Sequence, residues 1–98
     1  MNKISAIIPT LNRPKDLRDA VTSILRQKHL PDELIIVDQS IDEQSYHAVN
    51  RLYEEFGVAP KLVYLHEPEV SGLIEAKQRG VEVAEGDIIR FLEDDVEL

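Results

Sequence analysis

The feature that most constrains this chain is the alternation of four short apolar runs with three stretches of helical periodicity. The apolar runs lie at residues 4–8, 34–38, 61–65 and 88–92. From Leu17 to Leu25, apolar residues recur at i, i+3, i+4, i+7 and i+8, the pattern of one buried helix face. The connections are long enough for parallel pairing, so the sequence predicts an α/β fold with a parallel sheet and flanking helices.

The remaining element boundaries follow from local signals. Pro9 is expected to close the first strand, because proline has no N–H to donate to a ladder. A second helix is expected after Asp42, and a third over residues 73–84 with Ser71 as its cap.

Composition excludes several classes of protein. The 98 residues suit one small domain, and the net charge of -8 argues against a nucleic-acid surface. There is no cysteine, so disulfides and thiolate metal sites are excluded. No apolar run reaches the roughly 20 residues of a membrane span, and residues 1–3 lead directly into a strand without a signal peptide. We therefore expect a cytoplasmic protein, with membrane association of a longer chain left open.

The distinctive polar residues all follow strands. Parallel sheets bind ligands outside the carboxyl ends of their strands. Pro9 and Thr10 follow the first strand, Asp38 and Gln39 the second, and the acidic cluster 93–95 follows the fourth. The sequence therefore predicts one binding site at this edge of the sheet.

The acidic cluster Glu93-Asp94-Asp95 is the sharpest feature of that edge. Adjacent carboxylates repel one another unless a cation or a substrate offsets their charge. Mg²⁺ and Mn²⁺ are held by one or two carboxylates together with substrate phosphate oxygens, as a diphosphate-linked donor requires. The alternative interpretation is a solvated acidic tail.

The other candidates each have a functional and a structural interpretation. Asp38 can accept a hydrogen bond from a nucleobase imide or a ribose hydroxyl, or it can cap the following turn. Gln39 can read a base edge or be an ordinary loop residue. Residues 9–13, with Thr10, Asn12 and Arg13, suit anions or nucleotide polar atoms, but they also suit simple helix capping. Lys77 can face a diphosphate or be solvated.

Taken in order, these blocks resemble family 2 glycosyltransferases of the GT-A type. The matching stretches are residues 8–13 and 36–40, then Gly72, residues 76–78, Gly80, Ala84, Gly86-Asp87 and residues 91–95. The resemblance covers essentially the whole chain. It implies a three-layer, Rossmann-like half domain with sheet order 3-2-1-4. Residues 1–98 would be the N-terminal nucleotide-binding part of a GT-A domain, ending just after the DxD-type motif.

The resemblance also implies roles for individual residues. Asp38 would contact the base, Thr10 would line the nucleotide pocket, and Asp94 would hold the ribose. Asp95 would ligate Mn²⁺ or Mg²⁺, with Glu93 in the first position of the DxD-type triplet. The nucleotide-binding set implied in this way is Pro9, Thr10, Asn12, Arg13, Asp38, Gln39, Lys77, Glu93 and Asp94.

The implied enzyme moves a sugar from a nucleoside diphosphate donor to an unknown acceptor. Many members have an acid where this chain has Gln39, and an Arg-Asn pair where it has Lys77-Gln78. A UDP-linked donor is the expectation. The family's catalytic base is expected downstream of Leu98, so no catalytic residue is assigned. The 98-residue chain is expected to be inactive and to self-associate through its exposed edge strand at residues 88–92.

Two alternative functions remain open at this point. One is a nucleotidyltransferase that makes the activated sugar, which is expected to carry a Gly-rich, Arg-containing loop after the first strand. Residues 9–15 have no such loop. The other is a non-catalytic nucleotide-binding or receiver-like module. A receiver usually has its acidic pair after the first strand, whereas the acidic cluster here follows the fourth.

Overall fold

The computed structural model describes residues 2–57 and 59–94 of the chain. Strands and helices alternate throughout, as the sequence pattern predicts. The elements are β1 (Ile4–Thr10), α1 (Pro14–Leu25), β2 (Glu33–Asp38), α2 (Gln44–Glu55), β3 (Lys61–His66), α3 (Leu73–Val83) and β4 (Ile88–Phe91). The four strands form one sheet of order β3-β2-β1-β4, and every neighbouring pair is parallel. The predicted fold class and strand order are confirmed.

The two central strands are covered on both faces, so the domain has three layers. Side chains alternate between the faces of a strand. Ala6 and Ile8 therefore pack with α1 and α2 on one face, together with apolar residues of those helices such as Leu17 and Val49. Ile7 and Ala76 belong to the core on the opposite face, which α3 covers. Burial on both faces explains why β1 and β2 are nearly continuous apolar runs.

The prediction that Pro9 closes the first strand is wrong. β1 continues to Thr10, and Pro9 and Thr10 pair with Val37 and Asp38 of β2. On its other side β1 pairs with β4 only as far as Ile7. The Ile7 carbonyl points to that side, accepting from Leu92 N, and the missing N–H of Pro9 would point the same way, beyond the last strand pair. Proline is tolerated because no ladder bond is lost there.

β4 lies at an edge of the sheet and has an exposed apolar surface. Among the described residues it pairs only with β1, and Ile88, Ile89 and Phe91 are exposed. Self-association through this strand stays a prediction. Across residues 2–57 and 59–94, no helix combines the length and the apolar character that a membrane crossing requires.

Gly80 allows α3 to approach the sheet closely. A Cβ atom built at Gly80 would lie 2.6 Å from Cγ2 of Ile7, well inside van der Waals contact. Ile7 is fully buried and lies in a central strand, so it has little room to move. The absence of a side chain at Gly80 therefore sets the distance between α3 and β1.

We expect Gly80→Ala to destabilise the protein. Alanine gains about 1 kcal/mol in helix propensity, but overpacking against Ile7 costs about 1–3 kcal/mol, so the net free energy of unfolding should fall. Gly57→Ala is the control, since no atom lies within 4 Å of a Cβ there. Urea unfolding of both variants measures the difference. Equal or increased stability of Gly80→Ala would contradict the close-packing argument.

Candidate functional site

An open groove lies outside the carboxyl ends of β1, β2 and β4. Its volume is about 390 Å³. Among the residues expected to bind nucleotide, the lining includes Pro9, Thr10, Arg13, Gln39, Glu93 and Asp94. Leu11, Gly72 and Leu73 also line it, beyond the residues expected from the sequence. The groove thus joins four segments that are far apart in sequence, and three of them follow strands, as parallel topology predicts.

Asp94 connects the end of the chain's fourth strand with the loop after the first. Its Oδ2 accepts a hydrogen bond of 3.0 Å from the Thr10 hydroxyl. Its Oδ1 lies 3.5 Å from Nη1 of Arg13, whose side chain is 53% exposed. Asp94 itself is 8% exposed. A nearly buried carboxylate is costly without partners, so these two groups stabilise its charge at the groove wall.

Asp38 does not line the groove. It is fully buried, and both of its carboxylate oxygens accept hydrogen bonds from the protein. Oδ1 accepts from the Ser40 backbone N–H at 2.9 Å, and Oδ2 accepts from the Tyr64 hydroxyl at 2.6 Å. Partial burial of Tyr64 raises the pKa of this phenol well above its usual value, and the hydrogen bond to the Asp38 carboxylate is the next largest cause. Tyr64 therefore remains a protonated donor.

Gln39 is the residue of the second strand's motif that faces the groove. Its Nε2 donates to the carbonyls of Val70, at 2.9 Å, and Gly72, at 3.1 Å. These two acceptors identify which end of the amide faces the loop, and they leave Oε1 as the acceptor end. Gln39 thereby connects β2 to the segment that precedes α3.

That segment begins at a charged cluster and ends at a backbone conformation that suits glycine. Arg79 of α3 binds Glu67 through two hydrogen bonds and also contacts Glu82. The segment ends at Gly72, whose φ of 89° favours glycine. Gly72 is the N-cap of α3, which makes no side-chain cap hydrogen bond, so the prediction that Ser71 caps this helix is wrong.

Asn12 and Lys77 are placed outside the groove. Asn12 contributes its backbone N–H, which donates to Ser40 Oγ at 2.7 Å. Nζ of Lys77 lies 5.1 Å from the centre of the Phe91 ring, in a cation–π contact on the edge strand. With Ile74 and Val81, Lys77 lines a different groove, between α3 and β4.

The expected metal ligand, Asp95, lies outside the described residues. Within residues 2–57 and 59–94, no three histidine, aspartate or glutamate side chains converge as a metal-ligand set. Glu93 is exposed and lines the groove. Carboxylate oxygens beside a groove are the donor type that Mg²⁺ and Mn²⁺ bind, so the residues present fit a cation completed by ligand phosphates.

An open parallel sheet with a polar groove at its carboxyl edge defines a class of α/β proteins that bind their ligands there. The sequence model of glycosyl transferase family 2 matches residues 5–98, and the chain belongs to this family.

Related sequences come from several bacteria. The chain is 37% identical over 93 residues to YwdF, an uncharacterized glycosyltransferase of Bacillus subtilis, covering 95% of this chain and 32% of that protein. It is 31% identical over 99 residues to the GalNAc(5)-diNAcBac-PP-undecaprenol beta-1,3-glucosyltransferase of Campylobacter jejuni, covering 100% of this chain and 31% of that protein. The chain thus spans roughly a third of the length of these relatives.

Solved structures give the same fold. A mannosyltransferase from Pyrobaculum calidifontis in complex with GDP-Man and Mn²⁺ superposes with a TM-score of 0.77 at 26% identity, covering 96% of this chain and 28% of that one. A glucosyl-3-phosphoglycerate synthase from Mycobacterium tuberculosis, with Mn²⁺ and UDP, gives 0.68 at 28% identity, covering 95% and 33%. The fold is that of GT-A glycosyltransferases.

The Glu67–Arg79 pair should give stability a specific pH dependence. The hydrogen bonds from Arg79 lower the pKa of Glu67 below its ordinary value of 4.5, and partial burial opposes this shift. Since the folded-state pKa is the lower one, the stabilisation is fully present above the ordinary value. It is lost as pH falls through the lowered value.

We therefore expect the difference in melting temperature between wild type and Arg79→Gln to be constant near neutral pH and to shrink below about pH 4.5. The pair is partly exposed, so added salt should reduce the difference. Arg18→Gln is the control, because the Arg18–Asp19 pair is long, at 3.5 Å, and exposed. A difference for Arg79→Gln that does not vary with pH would contradict this assignment.

Proposed function

We propose that this chain binds the nucleoside diphosphate of a sugar donor, with a divalent cation, in a glycosyltransferase that passes the sugar to an acceptor. The observation that carries the proposal is the groove in which Thr10, Gln39 and Asp94 converge, within a family 2 chain. Residues 1–98 would act as the N-terminal nucleotide-binding part of that enzyme. Family membership supports this activity over a nucleotidyltransferase or a non-catalytic module.

The nucleotide would lie across the carboxyl ends of β1 and β2. Thr10 and Asp94 form the groove wall, and their oxygens suit ribose hydroxyls, which both donate and accept. The Arg13 guanidinium, half exposed at the groove, suits phosphate oxygens. Neighbours solved with GDP-Man, UDP and UDP-GlcNAc support a nucleoside diphosphate donor as the ligand class.

Gln39 is the best-placed residue to read the base. Its two amide hydrogens are directed to the Val70 and Gly72 carbonyls, so its Oε1 can only accept. An accepting atom matches the imide N–H of uracil and does not match the unprotonated ring nitrogen of cytosine at the equivalent position. Guanine also presents a ring N–H at its pairing edge, so the Gln39 acceptor favours UDP or GDP over CDP. We propose a UDP-linked donor, as the family resemblance implies, with Gln39 and not the buried Asp38 making the base contact.

The cation would be held by Asp95, with Glu93 beside it, and by the donor's diphosphate oxygens. A bound divalent cation offsets the charge that develops on the departing diphosphate. Asp94 is already engaged by Thr10 and Arg13, so few protein ligands remain for the metal. Neighbours that contain Mn²⁺ support a divalent cation, and Mn²⁺ or Mg²⁺ would serve.

Base selectivity tests the role of Gln39. We expect wild type to bind UDP more tightly than CDP. Gln39→Leu also removes the donor to the Val70 and Gly72 carbonyls, so it should weaken both nucleotides, but UDP about three- to tenfold more than CDP. Gln44→Leu, an exposed glutamine at the start of α2, is the matched control and should keep the preference. Calorimetry with both nucleotides gives the two affinities. Equal losses for UDP and CDP would mean that Gln39 acts only through the loop it holds.

Metal dependence tests Asp95. With so few protein ligands, Mn²⁺ should bind weakly alone and should strengthen UDP binding by about tenfold or more. Asp95→Asn should remove that enhancement, while Glu97→Gln, a neutralisation in the same acidic segment, should keep it. UDP titrations with and without Mn²⁺ measure the effect. The same enhancement in Asp95→Asn as in wild type would refute the assignment.

A further inference from the structure

A chain of hydrogen bonds runs behind the groove from β3 to the loop that follows β1. The Tyr64 hydroxyl donates to Asp38 Oδ2, and Asp38 Oδ1 accepts from the backbone N–H of Ser40. Ser40 Oγ in turn accepts from the backbone N–H of Asn12 at 2.7 Å. His66 Nε2 lies 2.7 Å from the Ser40 carbonyl oxygen, which holds the same turn from the side of β3.

Asn12, at the end of this series of hydrogen bonds, has an unusual backbone conformation. Asn12 has φ of 55°, in the left-handed region that residues other than glycine seldom occupy. Such a conformation persists where its surroundings hold it in place. Asn12 lies between Leu11 and Arg13, both of which line the groove, and Arg13 pairs with Asp94. The backbone at Asn12 therefore sets how two groove residues are presented.

The buried residues of this hydrogen-bond series are well suited to act as a fixed support. Asp38 and Ser40 are both fully buried, so neither can contact a ligand without breaking the bonds described above. Tyr64 packs edge-on against Tyr46, with ring centres 5.1 Å apart. A carboxylate that is buried and accepts two hydrogen bonds favours one geometry over its alternatives.

We propose that Tyr64 is a positioning residue for nucleotide binding, which acts through Asp38 and Ser40 on the backbone of residues 11–13. Asp38 then contributes to binding through the Ser40 turn and not through a contact with the base. The inference rests on the proposed function of the groove, because its effect is read as nucleotide affinity.

Tyr64→Phe and Tyr53→Phe form a matched pair for the test. The Tyr53 hydroxyl is also buried, and burial raises its pKa to about 12, but it has no hydrogen-bond partner among the described residues. Each substitution removes one phenol hydroxyl, and only one of them breaks a bond to Asp38. Calorimetry gives the UDP affinity. Hydrogen exchange measured by NMR gives the exchange rate of the Asn12 backbone amide.

We expect Tyr64→Phe to speed exchange of the Asn12 amide and to weaken UDP about three- to tenfold. Tyr53→Phe should leave both quantities at their wild-type values. Asp38→Asn should cost UDP affinity less than about threefold, since the amide oxygen still accepts from Ser40 and its N–H can donate to the Tyr64 oxygen. A direct carboxylate contact with the base would instead make Asp38→Asn the most damaging variant, which would overturn the inference.

A double-mutant cycle tests the route of the effect. Ser40→Ala removes the acceptor of the Asn12 amide, so adding Tyr64→Phe to it should weaken UDP little further. Fully additive losses, or unchanged UDP affinity in Tyr64→Phe, would overturn the inference while wild-type binding keeps the proposed function intact. A wild-type protein that binds no nucleoside diphosphate would overturn the proposed function, and the inference would fall with it.

Discussion

The parallel pairing of β1 with β2 is the constraint on which the rest of the structure depends. The pairing runs from Ser5 with Glu33 to Thr10 with Asp38, so both strands end at the same level. Because helices cover both faces, the strand interiors must be apolar, and polar side chains can reach a ligand only beyond the strand ends. The chemistry of the chain is therefore confined to one edge of the sheet.

Two buried aspartates at that edge are stabilised in different ways. Asp38 is enclosed, with one backbone donor and one phenol donor, and it has no exposed surface. Asp94 accepts from Thr10 and lies near Arg13, at the wall of an open groove. Burial of a charge requires partners in both cases. Only the second arrangement leaves a carboxylate beside space that a ligand can fill.

The fold could be predicted from the sequence because its signals are local periodicities and connection lengths. The residues gathered at the sheet edge could also be predicted, since parallel topology alone brings Thr10, Gln39 and Asp94 together. The direction in which each side chain points could not be predicted from the sequence. Asp38 and Gln39 are adjacent at a strand end, where successive side chains point to opposite sides, and the sequence does not say which of them faces the groove.

Lys77 and Tyr64 illustrate the same limit, because their contacts are with residues that are distant in sequence. Whether Lys77 faces a diphosphate depends on the rotation of α3 against the sheet, which is set by tertiary packing such as that of Gly80 on Ile7. In the fold, Lys77 lies over Phe91. Tyr64 gave no signal as a site residue, because its partner Asp38 is 26 positions away. The spacing of Asp38 and Ser40 is the one local sign, since aspartate often bonds the backbone two residues on.

The amide at position 39 and the loop that precedes α3 depend on each other. The wall formed by Val70 and Gly72 presents carbonyl oxygens to position 39, and these require a donor. A carboxylate there would place like partial charges together, whereas the glutamine amide donates to both carbonyls. The Glu67–Arg79 pair holds the other end of this wall. Glutamine at position 39 is thus consistent with the shape of this loop, and an acid in its place would require a different one.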